Sequence, residues 1–373
     1  MCERSGLGAI IRQEIEQRGK ISFAEYMAQA LYHPELGYYT RPGVKIGPEG
    51  DFYTSPMVHP VFGACLAKQF KEMWDALGTP ETFLLVEYGA GNGLLARDIL
   101  EYAKVALPDF YSTVQYFIVE ISPFHRSLQR AALQGNYPVY WTEDLQGISQ
   151  EVVGCVFSNE FLDALPVHRV ALQHGELKEL YVSTAGERLV EVMGAPSTQE
   201  LAVYLKELNL TLQEQQEVEI NLEALKWLQQ VAGKLKKGFV LTIDYGYKAR
   251  ELSMPQRFQG TLLCYRQHQA VKNPYLNIGE QDITAHVNFT ALEQYGERYG
   301  LKIAGFTTQM KFLIGLGIME FVESRELTAV ERQKMLLAVK RLIMPQGMGE
   351  SFRVMIQYKG LEGPINLSGL RSL

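Results

Sequence analysis

In the stretch VEYGAGNG, Glu87 is followed by Gly89, Gly91 and Gly93 at alternating positions, between the apolar run TFLL and the helix-like LLARDIL. Glycines let a backbone approach a ligand with no Cβ in the way. The spacing is wrong for phosphate. A dinucleotide turn wants G-x-G-x-x-G, but Leu94 stands at the required third position and the third glycine arrives early. A phosphate loop would end in Gly-Lys-Ser/Thr, and Leu94-Leu95 stands there instead. An acid ahead of the turn repels phosphate and attracts a cation. S-adenosyl-L-methionine (SAM) has no phosphate and carries a sulfonium and an ammonium, so it suits this turn. Glu120 closes the next apolar run, VQYFIVEI, where a carboxylate can accept both ribose hydroxyls. Asp144 and Leu145 close the run after that, and Asp144 can accept the adenine amino group. Each acid alone is ordinary surface charge; three at successive strand ends around one glycine turn make chance the weaker explanation.

Such residues need strands that end at one edge of a sheet, and from residue 82 the pattern supplies them. TFLLVEYG, VQYFIVEI, YPVYWTED and GCVFSNEF read as strands, with NGLLARDILEYAKV and PFHRSLQRAAL as intervening helices. Strands alternating with helices predict an α/β fold with a parallel sheet covered on both faces. The alternation breaks over 165–236, where PVHRVALQHGELKELYVS and ERLVEVM read as antiparallel strands followed by two helices. That region is expected to be an inserted α+β subdomain, serving as a lid or as the surface of a homodimer. GFVLTIDYGY resumes the sheet, and LKIAGFTTQ and SFRVMIQYK complete it. Residues 1–80 read as a helical extension with a Gly-, Pro- and aromatic-rich loop, and 81–164 and 237–373 as the two halves of the main domain. Ile10, Ile11 and Ile15 mark the apolar stripe of a first helix.

Bulk properties narrow the function. The 373 residues suit one elaborated domain or two, and a hydrophobic content of 47% builds a sizeable core. A net charge of −6 argues against a general nucleic-acid binder. Cys2, Cys65, Cys155 and Cys264 lie far apart, so no metal site and no disulfide framework is expected. The first residues mix charges into every turn and read as neither a signal peptide nor a mitochondrial presequence, and no run reads as a membrane span. A cytoplasmic protein is the expectation.

The blocks FAEYMAQALYHPELGYY, GDFYTSP, VEYGAGNG, SNEFLDALPVHR, IDYGY, GEQDITAHVNF and LIMPQGMGESFRV, in this order, resemble those of the MidA-like methyltransferases over nearly the whole chain. Mitochondrial members of that family assist assembly of respiratory complex I by dimethylating an arginine of a core subunit. The resemblance implies a Rossmann-like SAM-dependent methyltransferase sheet with extensions, and a protein substrate carrying the target arginine. Within SNEFLDALPVHR, Glu160 and Asp163 follow a strand end, and the layout is similar to the glutamate-bearing loop of protein arginine methyltransferases. That likeness makes Glu160 the first candidate to grip a guanidinium. Asp163 is the second, with helix capping an equal use for it, and Asn159 is a candidate to fix the loop or touch cofactor. The resemblance also implies that Asp51, Phe52, Thr54 and Ser55 close over the cofactor. His286, in EQDITAHVNF, resembles a Thr-His loop lining an arginine pocket, and a structural histidine is an equal reading. Two rival functions stay open: methylation of a small molecule or other side chain, and an assembly factor that holds SAM without turnover.

Overall fold

Phe83–Tyr88 is buried at every position, which is why FLLVEY shows no polar alternation: both faces of this strand are covered. It lies inside a mixed sheet whose main path runs Lys302–Thr308, Phe352–Lys359, Leu235–Tyr247, Val152–Asn159, Phe83–Tyr88, Val114–Val119, Val139–Thr142. The structure is a computed structural model that describes residues 6–43, 45, 47, 50, 51, 54–135, 137–323 and 327–371. Leu235–Tyr247 and the four strands beyond it pair in parallel, as the alternating pattern predicts. Phe352–Lys359 departs from that expectation and runs antiparallel to both its neighbours. The cause lies in its connection. Thr308 pairs with Arg353, so the helices after Thr308 return the chain to the edge it left, and the next strand must run backwards.

The chain forms two compact units: Tyr53–Phe161, Leu228–Gly246 and Glu293–Leu373 make one, and Met1–Phe52, Leu162–Trp227 and Tyr247–Leu292 the other. The first unit holds the mixed sheet. Its core packs Phe70, Phe83, Phe110, Tyr116 and Phe157 with the helices Val61–Ala76 and Leu94–Ala106. In the second, Ile21–Ser22, Glu176–Ala185, His168–Gln173 and Glu217–Ile220 form an antiparallel sheet with Arg188–Gly194 beside Glu176–Ala185. Helix Phe23–Tyr32 of that unit starts at a reciprocal cap between Ser22 and Glu25 and buries Phe23, Tyr26, Met27 and Leu31. Leu7, Ile11 and Ile15 are buried on the first helix, whereas Ile10 is 40% exposed and lies off the stripe. These groupings differ from the boundaries expected at 80, 164 and 236: helices Leu7–Arg18 and Phe23–Tyr32 and the segment Tyr247–Leu292 group with most of the region read as an insertion, whereas Val61–Ala76 groups with the mixed sheet. No helix among the described residues is long and apolar enough to cross a membrane.

Candidate active site

The glycine turn leaves the carboxyl edge of Phe83–Tyr88 with Gly89, Gly91 and Gly93 at φ +68°, +52° and +80°, a left-handed region that strains any residue with a Cβ. The Gly93 N–H donates to the Ala90 carbonyl at 2.8 Å, and Asn92 Oδ1 accepts the Leu94 N–H at 3.2 Å where helix Leu94–Ala106 begins. Neighbours enforce two of the glycines as well. A Cβ on Gly89 would meet the Phe161 ring at 3.0 Å, and one on Gly93 would meet the Gln129 backbone at 3.0 Å.

Glu120 is buried just past Val114–Val119, where its Oε1 accepts the Ser122 N–H at 2.8 Å and its Oε2 the Gln129 side-chain amide at 3.0 Å. Burial raises its pKa, and those two donors oppose the rise. Gln129 does more than steady Glu120. Its Nε2 also donates to the Gly91 carbonyl at 3.0 Å, and its Oε1 accepts from Trp141 Nε1 at 3.0 Å. One fully buried amide therefore ties the glycine turn, the second acid and the third strand together. Sequence reasoning missed it, although a signal exists: His125 and Gln129 are polar residues four apart on the buried face of helix Pro123–Ala132. Asp144 is exposed, and its Oδ1 caps the single turn Leu145–Gly147 through the Gly147 N–H at 2.9 Å; Leu145 is buried.

Glu87 differs from its expected role as a charge at the strand tip. It is 2% exposed and accepts the Tyr116 hydroxyl at 2.7 Å. Burial, aided by the nearby Glu120 charge, pushes its carboxyl up to about 8 despite that hydrogen bond, so near neutrality it is mostly protonated. The folded chain thus keeps a proton that the unfolded chain releases near the ordinary value of 4.5. Stability contributed by that proton is complete below the ordinary value and is lost as pH rises through about 8. Between pH 7 and 9 the loss is on the order of 1 kcal/mol. Denaturant unfolding at the two pH values should show this decline in the native chain and its removal in Glu87→Gln; an unchanged decline would contradict the assignment.

Glu160 follows Val152–Asn159 with φ +53°, a conformation that glutamate seldom adopts and that surrounding structure must impose. Its N–H donates to the Ile243 carbonyl at 2.9 Å. Its Oε1 accepts from Asn159 Nδ2 at 3.0 Å and from the Ser55 N–H at 3.3 Å. Ser55 is itself buried, with its hydroxyl on Gln309 Oε1 at 3.1 Å; Thr54 precedes it and is nearly buried. Phe161 brings this loop to the glycine turn, its ring 5.3 Å from that of Tyr88. Asn159 Oδ1 is buried and has no hydrogen-bond partner among the described residues. An orphaned acceptor at the carboxyl edge, beside a turn with glycine at three alternating positions, fits a ligand that brings N–H or O–H donors, as SAM does.

The remaining candidates belong to the other unit. Asp51 accepts the Tyr38 hydroxyl at 2.7 Å and the Gln267 N–H at 2.7 Å, which fixes the tight turn at Gln267-His268. Phe52 lies outside the described residues. Asp163 is buried and its carbonyl accepts the Ala285 N–H at 2.9 Å. His286 donates its backbone N–H to Thr261 Oγ1 at 3.0 Å and sits 5.3 Å from the Tyr247 ring. Burial, and secondarily the Arg257 charge, hold its imidazole down at about 4, so it is neutral at physiological pH.

Three comparisons bear on this geometry. Residues 65–307 match a family model described as "Putative S-adenosyl-L-methionine-dependent methyltransferase". "Protein arginine methyltransferase NDUFAF7, mitochondrial" of Danio rerio is 27% identical, covering 94% of this chain and 87% of that protein. The NDUFAF7 homolog of Drosophila melanogaster, also named a mitochondrial protein arginine methyltransferase, is 28% identical, covering 79% and 72%. A crystal structure from Burkholderia thailandensis bound to S-adenosyl-homocysteine matches with a TM-score of 0.87 at 33% identity, covering 97% and 94%. The mitochondrial naming of the curated relatives points away from the expected cytoplasmic location and corrects it.

Proposed function

We propose, for a chain that belongs to the MidA-like family of S-adenosyl-L-methionine-dependent methyltransferases, that its methyl acceptor is an arginine guanidinium of a protein. The observation that carries this reading is the carboxylate of Glu160, held in a left-handed turn at the carboxyl edge by Asn159 and Ser55. The names of the curated relatives, protein arginine methyltransferases, support the same acceptor.

When bound, SAM supplies an electrophilic methyl carbon on its sulfonium. The residues proposed to hold it are Gly89, Gly91 and Gly93 by close backbone approach, Glu120, Asp144 and Leu145 at the strand ends, and Asn159 through its orphaned oxygen, with Glu87 a buried, uncharged neighbour of the turn rather than a charge on the cofactor. Thr54 and Ser55 stand beside Glu160 and are proposed to border that site. A guanidinium is a weak nucleophile because its lone pairs are delocalised. Glu160, ionised, pairs with its N–H groups, fixes its plane and favours electron density on the reacting nitrogen. Asp163 and His286 are proposed as acceptor-side residues of their own unit, His286 as a neutral imidazole that burial keeps from taking up a proton.

The acceptor class is tested by incubating the enzyme and tritium-labelled SAM with a lysate of source cells lacking the gene, then hydrolysing the labelled protein. Methylarginine is the expected product. Label in methyllysine, or only in acid-soluble small molecules, would contradict the proposal. The cofactor contact has its own test. Glu120→Ala should weaken SAM and S-adenosyl-homocysteine alike, since both carry the ribose, by ~1.5–3 kcal/mol for each charge-assisted bond lost. Calorimetry showing a loss confined to SAM would instead place Glu120 at the sulfonium.

A further inference from the structure

We infer that Asp244 is the positioning residue that holds the Glu160 turn in its left-handed conformation; this rests on the reading of Glu160 as the guanidinium grip. Val152–Asn159 and Leu235–Tyr247 pair in parallel as far as Asn159 opposite Ile243. That last pairing is closed by the bond from the Glu160 N–H to the Ile243 carbonyl at 2.9 Å. The positive φ of Glu160 then turns the chain out of the ladder, so the Phe161 N–H loses its place in it. Asp244 catches that N–H: its Oδ2 accepts it at 3.2 Å, while its Oδ1 accepts the Tyr245 N–H at 2.8 Å. The carboxylate is fully buried, and only an acid offers an acceptor at both ends to these two amides. Its effect reaches the site twice. Phe161 is set against Gly89 and Tyr88, and Glu160 is turned so that its own carboxylate meets Asn159 and Ser55. An extended Glu160 would carry its carboxylate away from those donors.

Asp244→Asn keeps the shape but turns one end into a donor, so it can serve only one of the two amides. Methyl transfer from tritium-labelled SAM to protein in the gene-deleted lysate should fall on the order of 10²-fold in kcat, as expected when a reacting group is misplaced by about an ångström. SAM affinity by calorimetry should fall far less than the transfer rate, since the substitution reaches the cofactor side only through Phe161 and Asn159. Combined with Glu160→Gln, the substitution should cause no further loss, because it acts through Glu160. Wild-type kcat in Asp244→Asn, or an additive loss in the double variant, would overturn the inference. Wild-type kcat in Glu160→Gln alone would instead overturn the reading on which it rests. Should Asp244→Asn fail to fold, Asp244→Ser, whose hydroxyl still accepts one N–H, takes its place under the same criteria.

Discussion

Glu160→Gln is expected to cut methyl transfer by ~10²–10³-fold while SAM affinity is preserved, the loss typical of removing one preorganised electrostatic contact. The substitution is nearly isosteric, and glutamine meets the positive φ at position 160 no worse than glutamate does. Its remaining oxygen can still accept from Asn159 Nδ2 and the Ser55 N–H, so the loop is held. The new NH2 group then faces the guanidinium, donor against donor, and the negative charge that balanced the cation is gone. Single-turnover kinetics separates the effects: binding of SAM should be unchanged and the transfer step slow. A transfer rate within threefold of wild type would reduce Glu160 to a structural acid.

Gly91→Val is expected to weaken cofactor binding strongly, for a different reason. Gly91 sits at φ +52°, where a Cβ costs about 1–2 kcal/mol and a branched one more. Its carbonyl is tied to Gln129, which also holds Glu120, so relaxing the strain disturbs the second acid as well. A loss of roughly 3 kcal/mol corresponds to about 10²-fold in affinity. Calorimetry with S-adenosyl-homocysteine checks this, with a cooperative thermal transition as the control for folding. Unchanged affinity in a folded variant would remove the turn from the cofactor site.

Much of this was legible in the sequence, for local reasons. The glycine turn, the strand-end acids and Glu160 lie within a few residues of apolar runs that declare themselves as strands, so their edge positions follow from the pattern. What could not be read depends on distant partners. The protonation of Glu87 follows from burial against Tyr116 on the next strand. The turn at Glu160 depends on an acid 83 residues beyond Phe161. Asp51, expected over the cofactor, is held by Tyr38 and by a turn 216 residues away. The antiparallel last strand was hidden because alternation reports element type and order, not direction. Likewise, no local signal joins the first 52 residues to 162–227 and 247–292.

The central claim is that the site is built for a guanidinium. The most direct test compares methyl transfer to the labelled acceptor protein with transfer to the same protein after its target arginine is replaced by lysine. The planar fork that a carboxylate can grip at two points is lost in lysine while the positive charge remains. The account predicts no transfer to the lysine variant above background. Transfer to the new lysine at a comparable rate would contradict it.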